Sequence, residues 1–93
     1  MFEELGDTSD KVAQALQRLG IRGTRDTVRI LNPIVRYAKA QRGGNLDMNV
    51  STEKTLRIVF PDGQIQDIQL PDAVVDFLGA FNNGAYPQLE SPF

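Results

Sequence analysis

Thr55-Leu56-Arg57-Ile58-Val59-Phe60, then Pro61-Asp62-Gly63, then Gln64-Ile65-Gln66-Asp67-Ile68-Gln69-Leu70 is the stretch that decides the fold. Two runs rich in β-branched and aromatic residues flank a proline, an aspartate and a glycine. Proline presets the first turn position, aspartate tolerates the second, and glycine accepts positive φ. A three-residue loop of this kind fixes the register of a hairpin over about 54–60 and 64–70. Phe60 then faces Gln64, Ile58 faces Gln66, Leu56 faces Ile68, and Lys54 faces Leu70. Because side chains alternate across a strand, Leu56, Ile58, Phe60, Ile68 and Leu70 share one face, the core side. The other face holds an Arg57–Asp67 pair and a Val59–Ile65 pair, both favourable cross-strand neighbours. Val59 and Ile65 are apolar on an outward face, which marks them as candidates for cover by a partner or by the tail residues Tyr86, Leu89 and Phe93.

Helices are expected on both sides of this hairpin. Pro71-Asp72 opens one over about 72–82, with Asp72 read as its cap. Val74, Phe77, Leu78 and Phe81 recur at i, i+3, i+4 and i+7, and Asn82-Asn83-Gly84 stops it. At the other end, Thr8 or Ser9 caps a helix over 9–19, with Val12, Ala15, Leu16 and Leu19 on one face. Gly20 supplies its left-handed terminator and Ile21 the accompanying apolar contact. The first six residues read as a frayed lead-in.

A second helical pattern runs from Arg25 to about Gln41, with Thr24 as its cap. At about 100° per residue, Val28, Leu31, Ile34, Val35 and Ala38 share one side, which Ile30 and Tyr37 extend. Arg25, Arg29, Asn32, Arg36 and Lys39 lie opposite, as a basic stripe. Asn32-Pro33 interrupts this pattern, because an interior proline removes a donor, clashes with the preceding turn and disfavours helical angles at Asn32. Either the helix kinks, or it splits into 25–31 and 33–41 with Asn32 as cap and Pro33 in the first position; the split is favoured. Residues 43–53 read as a long polar connection, a secondary site candidate.

The predicted fold class is therefore α+β: two N-terminal helical elements (the second kinked or split at Pro33), a β-hairpin and a C-terminal helix. The predicted core is Leu16, Leu19, Leu31, Ile34, Leu56, Ile58, Phe60, Ile68, Phe77, Leu78 and Phe81. The length of 93 residues predicts one compact domain over 1–84, with a proline- and aromatic-containing tail over 85–93.

Charge is unevenly distributed. Residues 18–42 carry seven basic groups (Arg18, Arg22, Arg25, Arg29, Arg36, Lys39, Arg42) against Asp26 alone, in a chain of net charge −2. That polarity points to a contact surface for something negative. A solvated face whose arginines pair with Asp72, Asp76 or Glu53 is the bland alternative.

The chain has neither histidine nor cysteine. Their absence removes the usual general base near neutral pH, the commonest metal ligand and any disulfide. The expectation is a non-catalytic protein with no cofactor and no metal site. Apolar runs are too short to span a membrane, and the acidic start lacks a signal-peptide core, so the expected location is the cytoplasm.

Ala15-Leu16-Gln17-Arg18-Leu19-Gly20-Ile21, followed by Thr27-Val28-Arg29-Ile30-Leu31, resembles part of the winged helix-turn-helix DNA-binding family. The resemblance covers about 20 residues. It implies that residues 24–41 are a recognition helix and the hairpin a wing, with Arg25, Thr27 and Arg29 in the major groove. The sequence departs from that pattern in a longer inter-helix stretch, the missing preceding helix and the acidic hairpin tip.

The residues themselves favour a small protein-interaction module, adaptor or regulatory, that self-associates or meets an acidic protein surface. Its expected contact residues are Arg22, Arg25, Arg29, Arg36, Lys39, Arg42, Val59 and Ile65. Nucleic acid is the alternative partner.

Overall fold

The computed structural model describes residues 2–51 and 54–91. Its elements are α1 (Ser9–Arg18), α2 (Pro33–Arg42), β1 (Asp47–Ser51), β2 (Thr55–Val59), β3 (Ile65–Gln69) and α3 (Asp72–Asn82). Short 3-10 turns occupy Glu3–Leu5 and Pro87–Leu89. The fold is α+β, with an antiparallel sheet ordered β1-β2-β3. No helix among the described residues is long and apolar enough to cross a membrane.

The hairpin takes the register its turn dictates. Leu56 faces Ile68, Arg57 faces Asp67, Ile58 faces Gln66 and Val59 faces Ile65. Phe60 N–H donates to the Gln64 carbonyl at 2.8 Å and Gly63 N–H to the Phe60 carbonyl at 2.9 Å. Asp62 Oδ1 accepts from Gln64 N–H at 3.0 Å, and Gly63 takes φ 89°, the left-handed region a side chain disfavours.

The 43–53 connection is corrected: most of its second half is β1, paired with β2 so that Met48 faces Ile58 and Val50 faces Leu56. Met48 and Val50 are buried in the core. Asp47, Asn49 and Ser51 alternate with them on the other face, which is why the segment reads as a loop by composition.

Helix α1 follows its signals. Thr8 Oγ1 accepts from Lys11 N–H at 3.2 Å. At the far end Ile21 N–H reaches the Leu16 carbonyl and Gly20 N–H the Gln17 carbonyl, the paired bonds of a Schellman terminus. The lead-in before it is not frayed: Phe2 and Leu5 are buried, and Phe2 packs on Tyr37 with ring centroids 6.0 Å apart. Helix α3 begins in the expected place, but Asp72 lies in its first turn and Pro71 stands at the cap without a side-chain bond.

The second helical region starts at Pro33. Asn32 is its cap, with Oδ1 accepting from Ile34 N–H at 2.8 Å and Val35 N–H at 3.2 Å. Residues 25–31 are not helical, and the recognition helix expected over 24–41 is not formed before Pro33. Asn32 is held extended (φ −74°, ψ 131°), so the helix cannot run backwards through it. The seven residues upstream are too few to sustain a helix alone. They form a loop, closed where Thr24 N–H donates to the Leu31 carbonyl at 2.7 Å, with Asp26 at φ 61°.

One apolar cluster joins α1, α2, α3, β1 and β2 with Phe2, Leu5 and Leu89. Leu16, Ile34, Leu56, Ile58, Phe77, Leu78 and Phe81 are in it as expected, while Phe60 and Ile68 pack at its margin. Leu19 and Leu31 are not: they are 58% and 44% exposed.

The tail packs back on the body. Tyr86 stacks on Phe77 at 5.3 Å, hydrogen-bonds with Ser9 Oγ at 2.7 Å and donates to Asp10 Oδ1 at 2.8 Å. Gly23 N–H donates to the Leu89 carbonyl, and the Gly23 carbonyl accepts from Ser91 N–H, joining tail to loop. These contacts hold Tyr86 and Leu89 against α1, α3 and Gly23, and they leave Ile65 58% exposed. Phe93, the other candidate cover, and Glu53, a candidate ion-pair partner, lie outside the described residues.

Candidate interaction surface

The loop from Thr24 to Leu31 is braced on every side. Asn32 Nδ2 donates to the Thr27 carbonyl at 2.9 Å, so one buried amide caps α2 and holds the loop. Asn32 is 3% exposed, a polar side chain buried in the core. Thr27 Oγ1 donates to the Thr24 carbonyl at 2.8 Å, and Asp26 N–H donates to Asn82 Oδ1 at 2.9 Å. The Val28 carbonyl accepts from Val50 N–H at 2.8 Å, which docks the loop on the outer edge of β1. At the loop's root Gly23 is buried, and a Cβ there would lie 2.5 Å from Pro33 Cδ.

On this braced frame the side chains of Val28 and Ile30 are 51% and 57% exposed, beside half-exposed Leu31. Three large apolar residues within four positions of a fixed loop are an unusual surface for an unpartnered domain. Basic residues lie close to them in the chain. Arg29 is exposed on the loop. Arg36 reaches back from α2, its Nε donating to the Ile30 carbonyl at 3.0 Å. Arg25 pairs with Glu90 of the tail at 3.0 Å.

The basic residues among the expected contacts therefore divide into three groups. Arg25, Arg29 and Arg36 gather at the loop. Lys39 and Arg42 continue along α2, Lys39 Nζ donating to the Gly44 carbonyl at 3.3 Å and Arg42 closing the helix in the open. Arg22 is exposed on the segment after α1, in a cleft with Gln17, Gly20, Pro87 and Gln88. The continuous ridge from Arg25 to Lys39 is not formed, because its first half is not on a helix.

Val59 and Ile65 sit elsewhere. The loop docks on β1 and Ile65 lies on β3, so the width of the sheet separates them. Beside them Arg57 grips Asp67 with two bonds, Nε to Oδ1 at 2.9 Å and Nη2 to Oδ2 at 3.2 Å. The hydrogen bond from Arg57 holds the Asp67 carboxyl below its ordinary range and raises the guanidinium in turn.

Sequence reasoning missed Val28, Ile30 and Leu31 as surface residues, because a helical wheel assigned Val28 and Leu31 to a buried face. The signal that places them outside is Asn32-Pro33, which forbids the helix that wheel assumes. Among the described residues no group of three or more His, Cys, Asp or Glu is placed to hold a metal ion. No protein-family model matches the chain, and no curated protein or solved structure is significantly similar to it.

Proposed function

We propose that this chain is a small non-catalytic protein-interaction module, adaptor or regulatory, that docks through its 24–31 loop onto an acidic, apolar patch of another protein in the cytoplasm. The observation that carries this reading is the exposure of Val28, Ile30 and Leu31 on a loop immobilised by Asn32. A partner that covered these half-exposed side chains would gain about 1 kcal/mol from each. Because the loop is already ordered, little conformational entropy is lost on docking. Arg29, exposed on the loop, supplies a forked donor that suits carboxylates, and arginine is enriched among residues that dominate interfaces.

Nucleic acid fits less well. The acids outside residues 18–42 set up a field that opposes the approach of a polyanion.

Fluorescence anisotropy separates the two readings. A labelled peptide alternating Glu or Asp with Leu or Phe should bind with micromolar affinity. Ile30→Ser with Leu31→Ser should weaken it at least about tenfold without lowering the melting temperature. Unchanged peptide binding by that variant contradicts the reading. Tight binding to random duplex DNA with a steep salt slope favours the nucleic-acid alternative.

A further inference from the structure

We infer that β3 is a self-association edge, through which two copies pair antiparallel about Ile65 to form one continuous sheet. The observations behind this are independent of the loop. β3 is an outer strand, and among the described residues no strand pairs with its free side.

Which backbone groups it offers follows from the hairpin register. Phe60 and Leu70 donate to Gln64 and Lys54, so residues 64, 66, 68 and 70 turn their amides toward β2. Ile65, Asp67 and Gln69 therefore point theirs outward. Such an edge is a template for another strand, and proteins usually blunt it with lysine, proline, a bulge or a cover. β3 contains neither lysine nor proline. Its single charged residue, Asp67, is turned back onto Arg57 by two hydrogen bonds. Within β3 itself the one carboxylate is therefore already paired.

The occupant and the register follow from self-complementarity. Pairing Ile65 with Ile65 of a second copy sets two exposed isoleucines side by side, flanked on each side by the cross-strand neighbour Val59. The result is an apolar stripe across the outward face. On the opposite face Gln64 and Gln66 meet their counterparts, amide against amide. Asp67 falls beside Gly63, where no side chain stands and a Cβ would find nothing within 4 Å. Pairing about Asp67 would set two carboxylates directly opposite one another, which is unfavourable. An isologous contact of this kind closes as a two-fold dimer, because each edge is used once. The strand is short, so the dimer is weak, with Kd on the order of 10–500 µM.

Sedimentation velocity from about 10 µM to 1 mM tests this. The wild type should pass from monomer to dimer, and Ile65→Lys, a change at an exposed site, should weaken association at least tenfold. Arg29→Glu should leave it unchanged, which separates this inference from the loop reading. The chain has no native cysteine, so Ile65→Cys tests the register without relying on the lysine variant. On mild oxidation it should give a disulfide-linked homodimer, whereas Gln69→Cys should not. A wild type that stays monomeric at 1 mM overturns the inference. So does a dimer that survives Ile65→Lys. A mixture in which the Ile65→Cys chain cross-links to the Gln69→Cys chain in preference to its own kind overturns it as well.

Discussion

Replacing Asn32 should damage the protein more than any change at an exposed arginine. Asn32→Ala removes the acceptor for Ile34 and Val35 N–H and the donor to the Thr27 carbonyl. Loss of a helix cap costs about 1 kcal/mol. Leaving buried backbone groups without partners adds about 1–3 kcal/mol. The sum, about 2–4 kcal/mol, lowers the melting temperature of a domain this size by roughly 10–30 °C. Asn32→Asp divides the two roles. Its carboxylate still caps α2 and faces the positive end of the helix dipole. It cannot donate to Thr27, so the loop tie alone is lost. Thermal and urea denaturation followed by circular dichroism at 222 nm should rank wild type above Asn32→Asp above Asn32→Ala. Hydrogen exchange should show residues 24–31 opening in both variants. A change below about 0.5 kcal/mol in Asn32→Ala would refute the account of how this loop is held.

Two further outcomes follow from the packing around this loop and the tail. Gly23→Ala should destabilise by about 1–3 kcal/mol in urea titration, because the new methyl meets Pro33 Cδ at 2.5 Å and the Leu31 carbonyl at 2.7 Å. Alkaline titration should loosen the fold. Burial raises both tyrosine pKa values; in Tyr37 the Glu4 carboxylate adds to this, while in Tyr86 Ser9 opposes it and Asp10 supports it. A raised folded pKa contributes stability that is intact below the unfolded value near 10 and is lost as pH rises through the folded one. Stability should therefore fall above about pH 10, in step with phenolate absorbance at 295 nm, and Tyr86→Phe should make that fall shallower.

The hairpin was legible because its turn chemistry and its period-two pattern agree: Pro61-Asp62-Gly63 and the Arg57–Asp67 pair each fix the same register. Helices α1 and α3 were legible for a similar reason, as stop signals at Gly20 and Gly84 coincide with the end of an apolar stripe. β1 was not. Leu46, Met48 and Val50 alternate, but Gly43-Gly44-Asn45 and the intervening polar residues masked the period. The segment before Pro33 misled in the opposite sense. Its spacing is helical, yet the extended Asn32 and a seven-residue length outweigh propensity, and the apolar side chains turn outward. The basic window was visible in the sequence as charge. Its division into a loop cluster, an α2 stripe and a lone Arg22 depends on where one helix begins. The apolar crown at the centre of the candidate surface became visible only once that helix was seen to be absent.

The most direct test of the loop as a docking surface is a heteronuclear NMR titration of the labelled protein with the acidic–apolar peptide. Amide shifts are predicted to move between Arg25 and Leu31 and at Arg36, with α3 and β3 unchanged. Shifts confined to Lys39 and Arg42, to the hairpin, or absent at millimolar peptide would contradict it.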